Sequence, residues 1–136
     1  MESVNWLVVA GAAVAAWIIG ALWYSVLFAK AWVAGHGYTE DQLKAMSANA
    51  PKAYGGSLVA MFLSAFVMSI FFHHMGVADM VRGCNWAFHA WLGFAMPVML
   101  ITHLYSDKKF ATFLIDTGYH LVFLCVMGAI IGKWGA

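Results

Sequence analysis

"FATFLIDTGYHLVFLCVMGAIIGK", residues 110–133, runs from one lysine to another with Asp116 as its only internal formal charge. A bilayer core about 30 Å thick takes about 20 apolar residues in a helix, so the run is long enough to cross. It does not alternate polar with apolar positions as a barrel strand would. It therefore reads as a transmembrane helix with an aspartate and a histidine, Asp116 and His120, one turn apart inside it. Each of these groups is expensive in lipid.

Three more segments have the same character: 4–28, 54–75 and 84–105. The chain is 64% hydrophobic and 10% charged over 136 residues, with a mean hydropathy of +0.81. Soluble domains carry charge on about a quarter of their residues. The sequence predicts an all-α membrane protein, a four-transmembrane-helix bundle forming a single domain over residues 1–136. The first span has "AVA" at 13–15 but no basic segment before it, so it is expected to stay as a span rather than be cleaved as a signal peptide. A net charge of +1 offers nucleic acid no basic field. The lipid bilayer is the expected partner.

The polar loop 29–53 contains Thr39 and Gln42 in capping-box spacing, with Glu40 and Asp41 in the first turn, and predicts a short interfacial helix ending before Pro51. Gly76–Gly83 and 106–109 read as turns. Loops 29–53 and 106–109 hold Lys30, Lys44, Lys52, Lys108 and Lys109, against Arg82 and Lys133 on the other side. That bias puts both loops in the cytoplasm and both termini outside, in the periplasm if the membrane is a bacterial inner membrane. Trp6, Tyr105 and Trp134 fall near the interfaces as belt anchors. Cys84 and Cys125 form no CxxC and fall at different depths, which predicts two free thiols.

Counting inward from the loop lysines places Asp116 about 10 Å deep, level with Tyr24, Ser25 and Ser57 from two other helices. His120 lies further in on the face of Asp116, beside Tyr119. Such a layer serves either as hydrogen-bonded glue between helices or as an ion, proton or small-molecule transport or binding site. Asp116 is expected to meet Tyr24 or Ser25 across the first and fourth helices.

Six His and nine Met would also suit haem or copper, with His73, His74 and His89 as ligands. Adjacent His73 and His74 diverge by about 100° on a helix, and no HxH or HExxH is present, so no cofactor is expected. Ala12, Ala16 and Gly20, and Gly128 with Gly132, make small-residue stripes for close helix packing, within the chain or between copies. There is no GxSxG, Walker loop or GxGxxG, and no nucleophile paired with a base; an enzyme is not expected.

"NWLVV" at 5–9, "GALWYS" at 20–25, Lys30, Trp32, "FLIDTGYH" at 113–120 and "VMGAIIGKW" at 126–134 together resemble the small bacterial membrane proteins grouped as domain of unknown function 1761. The resemblance implies a four-span bundle with the WYS block ending the first helix, and it implies no activity. In that pattern a proline follows the WYS block and an asparagine stands at the place of Asp116; here these are Val26 and Asp116. It draws attention to Trp23, Tyr24, Ser25, Gly118 and Tyr119. The functional expectation is an oligomeric bundle, a homo-oligomer or an accessory subunit of a larger membrane complex.

Overall fold

The computed structural model describes residues 4–23, 39–42, 44, 50–106 and 109–135. Among these, all regular structure is helical: α1 (Trp6–Leu22), α2 (Ala50–Met75), α3 (Met80–Leu104) and α4 (Phe110–Trp134). Helices α2, α3 and α4 are long and apolar enough to cross a membrane, and α1 is a shorter apolar helix. The part of the first span expected to reach residue 28 lies outside the described residues. Thr39 and Gln42 form the expected capping box, with Thr39 N donating to Gln42 Oε1 at 2.8 Å and Gln42 N to Thr39 Oγ1 at 3.2 Å.

Two helix starts differ from the sequence reading, each by four residues. Helix α2 begins at Ala50, so Pro51 opens this helix instead of closing the loop before it. Proline has no N–H to lose in a first turn, where that group has no helical partner. Helix α3 begins at Met80 because the Asp79 side chain caps it, accepting from Arg82 N at 2.7 Å. The turn is thus shorter than Gly76–Gly83, with Gly76 at φ 68° supplying the left-handed residue.

Helix α3 is not uniform. Its middle, Trp91–Ala95, is π-helical, and Met96 N bonds to Trp91 O five residues back. Pro97 explains this: inside an α-helix its ring would press on the carbonyl of Gly93 and leave that carbonyl without its donor, and a wider turn relieves the clash.

Helix α4 is the centre of the molecule. It packs on α1 and α2 along one side and most extensively on α3 along the other, while α2 and α3 have no extended contact of their own. The core is built from Val9, Ala12, Ala13 and Ala16 of α1, Ala65, Met68 and Phe72 of α2, and Tyr119, Phe123, Met127 and Ile131 of α4. Helix α1 runs antiparallel to α4. Asn5 Nδ2 donates to Trp134 O at 3.4 Å at one end, and Trp23 Nε1 donates to Ile115 O at 3.0 Å at the other.

Both small-residue stripes are used inside the chain. Ala12 and Ala16 are fully buried, and a Cβ on Gly20 would lie 2.6 Å from the Tyr119 hydroxyl oxygen. Gly128 and Gly132 face Gly83 and Ala87 of α3, so closely that a Cβ on Gly83 would run into the Gly128 carbonyl.

This approach corrects the expected depths of the cysteines. Both thiols are free, as expected, but they are neighbours: Cys125 Sγ lies 4.0 Å from Cys84 O, and the two side chains are in hydrogen-bond contact. The earlier start of α3 carries Cys84 a turn deeper than its sequence position implied. Trp6 does more than anchor at an interface, since its ring stacks on Phe66 at 5.3 Å and on Phe62 at 6.1 Å.

Candidate functional site

The residues singled out around Asp116 do not share one chamber. Ser57, Tyr119 and His120 line a cavity of about 290 Å³ between α1, α2 and α4, together with Trp17, Gly20 and Tyr54. Asp116 lines a different cavity, of about 360 Å³, between the end of α3 and the start of α4. Tyr24 and Ser25, expected to meet Asp116, lie outside the described residues.

His120 is held by its own helix. Its Nδ1 lies 2.7 Å from the backbone carbonyl of Asp116. A carbonyl only accepts, so Nδ1 carries a proton and donates it. The ring packs between Tyr119 and Phe123, with centroids 5.3 and 5.1 Å away.

Indole groups tie the helices together around this level. Trp23 of α1 donates to the carbonyl of Ile115, and Trp91 of α3 donates to the carbonyl of Thr117 at 2.9 Å. Two residues apart, these carbonyls let α4 be gripped from both flanks. An indole N–H without a partner is costly in an apolar medium, so these bonds fix how far each tryptophan enters. Gly118 faces Trp23, whose Cζ2 would be in ordinary contact at 3.5 Å with a Cβ there, and the rings of Trp23 and Tyr119 are 6.4 Å apart. Tyr119 reaches Ala16 O at 3.5 Å. Trp23, Gly118 and Tyr119, the described residues that the resemblance drew attention to, thus form one α1–α4 contact. Sequence reading gave no role to Trp91; a tryptophan in mid-span, away from either interface, was the available signal.

The histidines do not converge. His73 and His74 are 5.7 Å apart by ring centroid with planes at 73°, and His73 lines a small cavity with Gly76, Val77 and Ile131. His89 is on α3, bonded through Nδ1 to Asn85 O at 2.8 Å. It lines an apolar cleft of about 610 Å³ between α2 and α3, walled by Leu63, Val67, Phe71, Trp86 and Phe94. Among the described residues no three His, Cys, Asp or Glu side chains lie close enough to hold a metal ion.

A family model described as "Protein of unknown function (DUF1761)" matches residues 7–132. No curated protein and no solved structure matches the chain.

Proposed function

The chain belongs to the DUF1761 family, whose description assigns no activity, and from that premise we propose that it is a four-span integral membrane protein acting as a homo-oligomeric bundle or an accessory subunit of a larger membrane complex, with α3 as its docking helix. The meeting of Asn5 with Trp134 supports an even number of crossings, with both termini on one side. The lysine bias favours the periplasmic side of a bacterial inner membrane for them.

One observation carries the docking role. Mean hydropathy over the most apolar stretch of each long helix is 2.0 for α2, 1.8 for α4 and 1.4 for α3, yet 28%, 33% and 6% of those stretches are buried. The least apolar of the three is the least covered. A chain alone in lipid is expected to do the reverse, because polar groups facing hydrocarbon are penalised whereas apolar ones lose nothing there. His89 sits nine residues into α3, about 13 Å along its axis, and both it and Asn85 are exposed. Covering α3 with a helix from another copy or another subunit removes that penalty, and the apolar α2–α3 cleft beside it offers a seat.

Native mass spectrometry of the full chain released into mild detergent tests this. The wild-type protein is expected at a mass above that of one chain, and the double variant Asn85→Leu, His89→Leu at the single-chain mass with unchanged helix content. A wild-type protein that emerges as a bare single chain sinks the proposal.

A further inference from the structure

The cavity where α3 ends and α4 begins has a lining divided between hydrocarbon and oxygen. Its apolar side is Val98, Met99 and Phe113, with the ring of His103 5.2 Å from that of Phe113. Its other side is Thr102, Ser106, Thr112 and Asp116.

Two of these hydroxyls have already spent their protons. Thr102 Oγ1 donates to Val98 O at 3.2 Å and Ser106 Oγ to His103 O at 2.9 Å. A hydroxyl has one proton, so each oxygen now offers lone pairs only. Thr112 is 2% exposed, so its Oγ1 lies behind the lining and is not offered to a ligand. Asp116 adds a carboxylate with about four lone-pair positions, so a contact within the chain does not exhaust it.

We propose that this cavity binds a small amphipathic organic cation, a primary ammonium whose N–H groups are shared by Asp116 and the Thr102 and Ser106 hydroxyl oxygens while its short hydrocarbon end lies on Phe113, Val98 and Met99. The few polar groups this largely apolar cavity offers include a carboxylate and two hydroxyl oxygens with no proton to give, which select a donor, and an ammonium brings three. An anion would meet the Asp116 carboxylate. A bare alkali cation would leave the apolar half in contact with water, whereas about 360 Å³ accommodates a few carbons besides the nitrogen.

The test uses the purified full chain in mild detergent, with n-butylammonium chloride as probe and n-butanol as its uncharged counterpart, both followed by titration calorimetry. Saturable binding of the ammonium is expected, with the alcohol at least about tenfold weaker, the difference of one charge-assisted hydrogen bond. Asp116→Asn should weaken the ammonium about tenfold or more. Ser57→Ala, in the other cavity, should leave it unchanged. Equal binding of alcohol and ammonium by the wild-type chain, a comparison needing no variant, overturns the proposal. So does undiminished affinity in folded Asp116→Asn.

Discussion

Adding one methyl group at Gly132 should separate α3 from α4. A Cβ there would lie 2.5 Å from Asp79 O and 3.0 Å from Gly83 Cα, where ordinary contact begins at 3.4 Å. Both obstacles are backbone atoms, which cannot rotate aside as a flexible side chain can. The helices must move apart locally by roughly 0.9 Å, and a gap of about 0.5–1 Å forfeits a quarter to a half of the dispersion attraction between facing atoms. Overpacking of this kind costs about 1–3 kcal/mol. Alanine returns up to about 1 kcal/mol through its better helix propensity. The net expectation for Gly132→Ala is a loss of about 1–2 kcal/mol, read as a lower midpoint in thermal or SDS unfolding followed by circular dichroism. Gly11, with nothing within 4 Å of its virtual Cβ, is the control, and Gly11→Ala should be neutral or slightly stabilising. If Gly132→Ala is as stable as Gly11→Ala, the close backbone approach is wrong. If it keeps its stability but loses a dimer, the glycine stripe faces a second copy instead of α3.

Mild oxidation with copper phenanthroline should join Cys84 to Cys125 within one chain, blocking both from maleimide; two thiols that label fully after oxidation would contradict their contact. Trp91→Phe should cost about 1 kcal/mol by removing the donor to Thr117 O, whereas Trp86→Phe, which alters an exposed ring, should cost less; equal unfolding midpoints would remove the indole bond from the account. With both native cysteines replaced, Ser106→Cys should label only after the membrane is permeabilised, and Ala78→Cys in intact cells; the opposite pattern reverses the orientation read from the lysines.

What the sequence made legible was set by how sharply polarity changes along it. Helix α4 was bounded to within a residue, because Lys109 and Lys133 bracket an uninterrupted apolar run. The starts of α2 and α3 were placed four residues late because a proline and an aspartate, both read as turn residues, are also what a first helical turn accepts. The π-helical turn at Trp91–Ala95 follows from Pro97 four residues beyond Gly93, a spacing visible in the chain but given no weight. The cysteine pair shows the limit of counting depth along each helix separately. Where Gly83, Gly128 and Gly132 let two backbones touch, relative register is set by that contact, and no single-helix count contains it.

The candidate site was legible as residue types but not as a partition. Asp116 and His120 are a helical i,i+4 pair, and the imidazole bonds to the backbone carbonyl of Asp116. Helical side chains tilt toward the N-terminus, which brings the ring at position 120 down onto the carbonyl one turn earlier. The carboxylate is left to line the cavity on the α3 side while the imidazole lines the one facing α1 and α2. Thr102, His103, Ser106 and Thr112 passed unnoticed because they stand at helix ends, where polar residues usually need no explanation. Thr112 is on α4, one turn before Asp116, and the antiparallel return of α4 along α3 brings Thr102, His103 and Ser106 to the same cavity. A carboxylate on one helix thereby shares a cavity with hydroxyls from the end of another, which no count along a single helix contains.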